Sequence, residues 1–297
     1  MATKQKLERT IASTEDMNSI VSTMKALAAV NVQIFGEARD AIESYMDTVE
    51  RGLQVVLSPD GRDPAAARGR MAEPPRREGL GLFVFGAVQG MCGQFNDHIA
   101  ARAVDFAERY GGTAKVVAVG PRVGSRLIDR GVLIERSVDM SGSLASLPRV
   151  VDDCIVAVDQ LRMRGIGRVV VFYNTEGTDS SYDPHHELVL PISESWLRRI
   201  ARRRWPSRQI PTPVTPRSGL LAALSRQYVF ASFYRAAAQS LSSENSARLS
   251  SMQSAESNIE DRLDELQSAY NQQRQQEITS ELLDIVGGYT ALREGSS

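Results

Sequence analysis

The apolar residues in the last quarter of the chain recur every three or four positions, as they do along one side of a long helix. Between Gly219 and Gly287 there is neither glycine nor proline, and the residues that dominate this run form or tolerate helix. At about 1.5 Å per residue, an unbroken helix here would be on the order of 100 Å long. Its apolar stripe is narrow and is interrupted where Arg274 and Gln275 take seam positions, the positions that would face a partner helix. Such a helix needs a partner to bury its stripe.

The beginning of the chain provides a partner. From Leu7 to Val56 there is no proline, and apolar residues recur with a period near 3.5, which favours a left-handed coiled coil. We predict an N-terminal coiled-coil helix over residues 1–58 and a C-terminal one over residues 219–297. The two should pair antiparallel, and the C-terminal helix should project further because it is longer.

Strand-like and helix-like segments alternate between the two long helices, over residues 80–192. The predicted strands are 81–85, 115–119, 132–137, 168–173 and 187–190, and the predicted helices are 96–110, 123–130 and 144–164. This alternation favours a mostly parallel sheet covered on both faces, with an antiparallel last strand. The fold class is therefore α/β, with a long antiparallel coiled coil of N- and C-terminal helices and an inserted α/β domain.

Two connectors join these parts. Residues 59–79 are rich in Pro, Gly, Ala and Arg and are predicted to form a flexible linker. Residues 193–218 are predicted to form a basic, proline-rich connector, and its arginine cluster and four prolines predict no regular helix from Trp196 to Ser218. The cluster has the charge to contact phosphates or lipid head groups. Because few aromatic residues interleave with it, a solvated segment that faces a partner is the favoured interpretation.

Composition limits the classes of function. The 297 residues are 42% hydrophobic and 24% charged with a net charge of −1, which gives no electrostatic case for nucleic acid. Cys92 and Cys154 are too few for a disulfide scaffold and fit a reducing compartment. There is no uninterrupted apolar run of about 18 residues and no apolar signal core at the N-terminus, so we expect neither a membrane span nor secretion.

The turn after the first predicted strand is the main candidate for chemistry. Gly86–Gly93 follows a strand and precedes a helix, where backbone amides can cradle a phosphate. Neither a P-loop nor a G-x-G-x-x-G fingerprint is present, and glycines also serve sharp turns and close packing. We therefore predict a structural turn, in which Cys92 is a packing residue and Asn96 or Asp97 caps the next helix.

Other candidate groups carry less weight. His185 and His186 offer imidazole nitrogens, but adjacent residues rarely ligate one metal ion, so a loop is predicted there. No triad and no pair of catalytic carboxylates is visible in the sequence. We therefore predict no catalytic residues, no metal site and no cofactor.

Four motifs share one resemblance. Ser243 to Asn258 resembles the run S-E-x-x-A-R-M-x-A-M-x-x-A-x-x-N, and Leu266 to Gly287 resembles the ending L-x-x-x-Y-N-x-x-R-Q-x-x-I-T-x-E-L-x-E-I-V-x-G. Thr23 to Ala29 is similar to A-M-K-x-V-A-A, and Gly90 to Asn96 is similar to G-L-C-G-x-x-N. These motifs are those of the gamma subunits of rotary F-type ATP synthases. The resemblance is strongest at the two ends of the chain.

The resemblance implies a rotating shaft rather than an enzyme. In this family the paired terminal helices enter a ring of alternating alpha and beta subunits, and the head domain resembles a Rossmann fold but binds no nucleotide. The head stands on the membrane ring of c subunits beside the epsilon subunit. Rotation couples the flow of protons or sodium to ATP synthesis or hydrolysis at the catalytic beta subunits. The implied location is peripheral, on the cytoplasmic face of the bacterial inner membrane.

The resemblance also implies contacts with the surrounding ring. The matched positions are Met24, Lys25, Arg248, Arg274, Gln275, Thr279 and Glu281. The alternative for such residues is a solvated helix face. Contact is favoured because Arg and Gln interrupt the stripe where an isolated coiled coil would prefer Leu or Ile, and because Arg forms directional bonds with carboxylates.

The chain departs from the family pattern in two places. Ala87-Val88-Gln89 stands where the family usually has S-D-[KR], and the insert of residues 62–79 is unusual. These departures favour a divergent bacterial branch, of which the alternate, sodium-type ATPases are one candidate. Two other classes stay open: a standalone coiled-coil adaptor without an ATPase, and a small nucleotide-binding α/β enzyme that uses the Gly86–Gly93 turn.

Overall fold

The computed structural model describes residues 2–57, 79–177, 182–209 and 211–294. Within them the chain forms six α-helices and five β-strands, with a short 3-10 turn at Leu144–Ser146. In chain order they are α1 (Ala2–Leu57), β1 (Leu80–Phe85), α2 (Phe95–Tyr110), β2 (Ala114–Val119), α3 (Val123–Ile128), β3 (Ile134–Val138), α4 (Leu147–Met163), β4 (Arg168–Glu176), β5 (Tyr182–Leu190), α5 (Glu194–Ala201) and α6 (Arg217–Glu294).

The chain divides into two compact units. The first comprises Met1–Leu27 and Leu249–Ser297, and the second comprises Ala28–Arg248. The long helices α1 and α6 each contribute a segment to both units.

α1 and α6 run antiparallel in the first unit. The hydroxyl of Tyr270 donates a hydrogen bond to Glu8 Oε1 (3.0 Å), and Lys25 Nζ forms an ion pair with Glu256. Lys25 lies further along α1 than Glu8, whereas Glu256 comes before Tyr270 in α6, so the two helices have opposite directions. The predicted antiparallel pairing of the terminal helices is therefore confirmed.

α6 extends beyond the start of α1 in this unit. Lys4 Nζ lies 3.7 Å from Glu277 Oε2, and α6 continues from there to Glu294. The apolar side chains of this extension are 47–68% exposed; they are Ile278, Leu282, Leu283, Ile285 and Val286. The predicted longer reach of the C-terminal helix is confirmed, since α6 has 78 residues and α1 has 56.

In the second unit the two helices remain antiparallel. Tyr45 donates a hydrogen bond to Gln227 Oε1 (2.7 Å), and Arg217 Nη1 donates to the carbonyl of Val56 (3.2 Å). The latter contact joins the end of α1 to the beginning of α6. Between these points Leu53 is fully buried in a core that both helices share.

A five-stranded sheet with the order β3-β2-β1-β4-β5 forms the centre of the head domain, residues 79–192. β1 is parallel to β2 and to β4, β2 is parallel to β3, and β5 is antiparallel to β4. All six residues of β1 are buried, which is typical of a strand in a parallel sheet covered on both faces. The predicted sheet, including its antiparallel last strand, is confirmed.

Alternate residues of β1 face two different cores, as the pleat of a strand requires. Phe83 and Phe85 lie in the core formed with α4 and the long helices, where the ring of Phe83 packs edge-on against Phe233 of α6 at 4.9 Å between centroids. Leu82 and Val84 lie in the core formed with α2 and α3. One face of the sheet therefore packs directly on the C-terminal helix.

The expectation that residues 196–218 contain no regular helix is wrong for residues 196–201, which lie in α5 (Glu194–Ala201). The prolines of this segment begin at Pro206, after α5 has ended, so they do not oppose it. Leu197 and Ile200 are buried in the core that α1 and α6 share, and this burial stabilises a helix with one apolar side.

The prediction of a loop at His185 and His186 is also wrong. Both residues lie in β5, which begins five residues earlier than predicted, and they pair with Tyr173 and Phe172 of β4. The imidazole of His186 stacks on the ring of Phe172 at 5.4 Å with 15° between the planes. The pairing with β4, which is distant in sequence, decides the conformation here.

α1 is apolar as well as long. By length and composition its portion Lys4–Leu57 could cross a membrane, because it contains an 18-residue window with a mean hydropathy of 1.2. The window combines residues of the pairing face, such as buried Val21, with the outward-facing Ile20 and Leu27, each 60% exposed. A helix that packs against another helix passes the same test, so this composition does not by itself assign a span.

Candidate functional site

The turn after β1 is held by a carboxylate of α6. Glu244, which is 1% exposed, accepts hydrogen bonds from the backbone amides of Val88 (2.8 Å) and Gln89 (2.9 Å). These amides belong to the turn that the sequence offered as a phosphate cradle. The position that an anion would take beside them is therefore occupied by a carboxylate of the chain itself.

Arg248 completes this contact one helical turn further along α6. It is 3% exposed and pairs with Glu244, and it also donates hydrogen bonds to the carbonyl of Gly90 (3.1 Å) and to Asn245 Oδ1 (3.0 Å). A buried ion pair is stable only when its remaining donors and acceptors are also bonded. Here both partners bond to the same turn. We call Glu244, Arg248 and the turn 86–93 the junction.

Polar residues of the head domain hold the turn from its other side. The prediction that Asn96 or Asp97 caps α2 is wrong, because α2 begins at Phe95 and its N-cap residue is Gln94. Asn96 Oδ1 instead accepts a hydrogen bond from the amide of Ala87 at 2.8 Å. The carboxamide thus serves the turn rather than the helix end.

Gly86 permits the close approach on which the junction depends. A Cβ atom at this position would lie 2.3 Å from Val123 Cβ and 2.6 Å from Asn96 Oδ1, closer than Cβ atoms come to non-bonded atoms in proteins. This agrees with the prediction that the glycines of the turn serve close packing.

Cys92 is packed inside the junction. It is 3% exposed and contacts a small cluster with Ala87, Phe95 and Ala247. Burial, with a contribution from the charge of Glu244, raises the pKa of the Cys92 thiol to about 11. The group is therefore a neutral thiol near pH 7 and a poor nucleophile, in agreement with its predicted packing role.

Arg274 and Gln275 lie on the outside of α6, and both are exposed. The expectation that they occupy the seam of the coiled coil is wrong. The half-buried positions in this part of α6 are Gln273 and Glu277, one helical turn apart. The seam is polar here as predicted, but it passes beside Arg274 and Gln275 and leaves them free of the α1 pairing.

The remaining predicted contact residues divide in the same way. Thr279 and Glu281 are exposed, and the Thr279 hydroxyl donates to the Gln275 carbonyl of its own helix (2.8 Å). Met24 and Lys25 are half-buried, and the Lys25 ammonium pairs with Glu256 of α6. Arg274, Gln275, Thr279 and Glu281 thus lie on one exposed stretch of α6. Met24 and Lys25 lie on α1 in the first unit, and Arg248 is buried in the junction of the second unit.

A family model described as ATP synthase matches residues 3–292 of the chain. The chain belongs to the ATP synthase gamma-chain family. A gamma chain is a non-catalytic subunit of the synthase, and catalysis occurs in its beta subunits.

Curated relatives and solved structures agree with the family. The chain is 24% identical to the ATP synthase gamma chain of Nitrosomonas eutropha and 25% identical to that of Azoarcus sp., in both cases over 299 aligned residues that cover 98% of the chain and 100% of the relative. Its fold is similar to a chain of the Euglena gracilis mitochondrial ATP synthase rotor, with a TM-score of 0.62, 14% identity and coverage of 93% and 99%. A second structure of that synthase, containing OSCP, F1 and the c-ring, gives a TM-score of 0.64, 17% identity and coverage of 100% and 96%.

Sequence reasoning did not select Glu244 and Asn96 as functional residues. Glu244 lies in the same motif as Arg248, four residues away, which places two opposite charges on one side of a helix. That spacing was the available signal for a buried pair. The turn that the pair would bind lies more than 150 residues earlier, and no local pattern indicates it.

Proposed function

We propose that the chain is the central rotor shaft of an F-type ATP synthase, coupling ion flow through a membrane ring to ATP synthesis or hydrolysis at the catalytic beta subunits. One observation carries this proposal: in the second unit an antiparallel helix pair is held to an α/β head by a buried network, and in the first unit the longer helix ends in an exposed, apolar extension. A shaft that turns inside a ring needs such a stiff pair, a free end and a head that turns with it.

The proposed partners are the alternating alpha and beta subunits around the helix pair, the epsilon subunit beside the head, and the c-subunit ring beneath it. The similar Euglena chains come from structures of a rotor and of an F1 with its c-ring, which supports this set. The similar gamma chains of Nitrosomonas eutropha and Azoarcus are bacterial. This similarity supports the further proposal that the chain is a peripheral part of F1 on the cytoplasmic face of a bacterial inner membrane.

The contacts with the alpha and beta subunits are proposed at Met24, Lys25, Arg274, Gln275, Thr279 and Glu281. Exposure of the four residues on α6 supports this, because their polar groups are available to a surrounding subunit. Arg248 belongs to the same proposal in a different role, since its buried guanidinium is bonded to Gly90 and Asn245. It would support the shaft from inside rather than touch the ring.

The test replaces Arg274 by Ala and Gln275 by Leu in the complete synthase. Because bonds to a ring must break as the shaft turns, each should contribute only about 1–3 kcal/mol. We expect each variant to lower the ratio of ATP-driven ion pumping to ATP hydrolysis in vesicles and to reduce the yield of complex, while the isolated chain keeps its fold. The matched control is Arg162→Ala on α4, an exposed arginine of the head.

Three outcomes would contradict the proposal at different levels. If pumping, hydrolysis and yield all stay at wild-type values, the selected residues are a solvated face. If the tagged chain purifies without any alpha or beta subunit, the chain is a coiled-coil adaptor instead. Saturable binding of ATP, ADP or NAD by the isolated chain in calorimetry would instead support a nucleotide-binding enzyme. The bonds of Glu244 to the amides of the turn argue against that alternative.

A further inference from the structure

The less exposed side of α1 in the first unit carries many polar residues. Its buried and half-buried residues recur with a strict heptad spacing, at two positions of the heptad. One position holds Leu7, Thr14 and Val21, and the other holds Lys4, Ile11, Asn18 and Lys25. Charged or amide side chains thus take three of four places at a position where a stable coiled coil prefers aliphatic ones.

α6 has a complementary pattern in the same unit. Its half-buried residues also follow a heptad, and one heptad position holds Leu249, Glu256, Leu263, Tyr270 and Glu277. The two glutamates at this position are 21 residues apart, and so are Lys4 and Lys25 of α1. The charged positions therefore have the same spacing, three heptads, in both helices.

These charges meet in two ion pairs. Lys25 Nζ pairs with Glu256, and Lys4 Nζ lies 3.7 Å from Glu277 Oε2. The four side chains are only 20–33% exposed. Because the spacing is equal in both helices, one antiparallel register satisfies both pairs. We call Lys25–Glu256 and Lys4–Glu277 the register pairs.

Other registers of the two helices would leave these charges without partners. A slip of one heptad would place Lys25 at the level of Leu249 or Leu263, where the ammonium group would lose hydration without gaining an acceptor. Polar residues in the seam of a coiled coil lower its stability but select one register in this way. The cost is visible at Asn18, whose Oδ1 atom is buried and has no hydrogen-bond partner in the parts of the chain that the structure describes.

We infer that the residues of the register pairs are positioning residues, which set the register of α1 on α6 in the first unit. The consequence of this register rests on the proposed function. Met24 of α1 and Arg274 of α6 are proposed contacts with the ring, and a slip of one heptad would move α1 by about 10 Å along α6. The register pairs thus hold the contacts of both helices at fixed relative heights. For Lys25 this role is additional to the proposed ring contact, since a third of its side chain is exposed.

The experiment exchanges the charges of one register pair. The variants are Lys25→Glu, Glu256→Lys and the double variant that carries both substitutions. The control set is Lys6→Glu, Glu260→Lys and their combination, because these two residues are exposed, carry the same charges and lie on the same two helices. Amide hydrogen exchange of residues 2–27 in the isolated full chain measures how often α1 opens from α6.

We expect each single variant of the register pair to exchange about fivefold faster than the wild type, because an attraction between partly exposed charges becomes a repulsion. The double variant should exchange at nearly the wild-type rate, since the exchanged charges attract each other again. All three control variants should also exchange at nearly the wild-type rate.

Spin labels on Ser13→Cys and Ser254→Cys report the register directly, because these exposed positions lie on α1 and α6 of the first unit. Cys92 and Cys154 are buried, so the introduced cysteines are the sites that react. The wild type and the double variant should give one narrow distance between the labels. The single variants should give a broad distribution, because no register then pairs every charge.

A second measurement uses the complete synthase in vesicles. Both single variants should lower the ratio of ATP-driven ion pumping to ATP hydrolysis, and the double variant should restore it. If Lys25 acted only by touching the ring, Lys25→Glu would lower the ratio, Glu256→Lys would not, and the double variant would stay low.

Three results on the isolated chain would overturn the inference. They are wild-type exchange in the single variants, failure of the double variant to restore slow exchange, and one narrow wild-type distance in the single variants. In the synthase, the pattern of a direct ring contact would overturn the consequence drawn for coupling. The measurements on the isolated chain require no alpha or beta subunit, so a failure there is distinct from a failure of the proposed shaft function.

Discussion

Glu244 shows how a single carboxylate can couple two distant parts of a chain. Its charge is buried, which is costly in isolation, and it is stabilised by Arg248 and by the amides of Val88 and Gln89. The turn after a parallel strand presents these amides in the direction in which nucleotide-binding proteins hold phosphate. In this chain they hold the shaft, so the same backbone geometry serves a mechanical contact.

The first prediction at this scale concerns Glu244→Ala. Removing one partner of a buried pair leaves Arg248 and two backbone amides without their acceptor, so we expect a loss of about 3–5 kcal/mol in the free energy of unfolding. Urea denaturation of the isolated chain measures it. The matched control is Glu260→Ala, an exposed glutamate of the same helix, which should change stability by less than about 0.5 kcal/mol. If the two variants are equally stable, the buried contacts of Glu244 do not stabilise the fold.

The second prediction concerns the pH dependence of Glu176. Partial burial alone would raise the pKa of this carboxyl, but hydrogen bonds from Ser242 (2.6 Å) and Arg39 (2.8 Å) outweigh burial and hold the pKa below its usual value. A folded pKa below the unfolded one means that the carboxylate stabilises the fold above the unfolded pKa. This stabilisation is lost as pH falls through the folded pKa.

We therefore expect Glu176→Gln to lower stability at neutral pH and to have no effect in acid below the depressed pKa. Denaturant unfolding of wild type and variant across this range measures the difference, with Glu260→Gln as the control. The interpretation fails if the variant is equally destabilised at both ends of the range, because the loss would then come from packing and not from charge.

At the scale of elements, α6 performs different tasks along its length. Near Phe233 it is part of the core under the sheet, at Glu244 it holds the turn of the head, and beyond Glu277 its apolar residues are largely exposed. The apolar residues of that last stretch are 47–68% exposed, so they add little to the stability of the isolated chain. They are expected to be covered only in the assembled complex.

The prediction for this stretch uses Ile278→Gln, Leu282→Gln and Ile285→Gln together. Because about half or more of each of the three side chains is already exposed, we expect the melting temperature of the isolated chain to change little. Binding to alpha and beta subunits should weaken at least about tenfold, since each buried aliphatic side chain contributes about 1.5–3 kcal/mol. The control, Gln267→Ala with Gln272→Ala, changes exposed polar residues of the same helix. A triple variant that assembles as well as the control would show that the extension stays in water.

At the scale of the whole molecule, the head and the parts of the paired helices that belong to the second unit are not separable pieces. The core on one face of the sheet includes Phe35 of α1 and Phe233 of α6, so the long helices complete the head domain. The junction adds a directional, polar lock to this apolar contact. A rotor needs both, because packing resists separation and fixed hydrogen bonds resist slippage of the head around the helix.

The sequence by itself determined the elements and much of their arrangement. The apolar period near 3.5 of the long helices and the short apolar runs between them are local properties, and they predicted the antiparallel long helices and the strands from β1 to β5. Glycines and the missing phosphate-binding motifs predicted the structural role of the turn at Gly86. Local motifs were also sufficient for the family. Exposure of Arg274 was not predictable in this way, because a one-residue shift of the seam moves a side chain from the interface to solvent.

Only the tertiary structure decided which distant groups meet. α5 forms because its apolar side is buried against two other helices, His186 lies in a strand because β4 pairs with it, and Asn96 serves Ala87 because the turn passes over it. Above all, the amides of the turn bind Glu244 and not an external anion. Each of these outcomes depends on contacts between residues far apart in sequence, whose energies exceed the local preferences that a sequence displays.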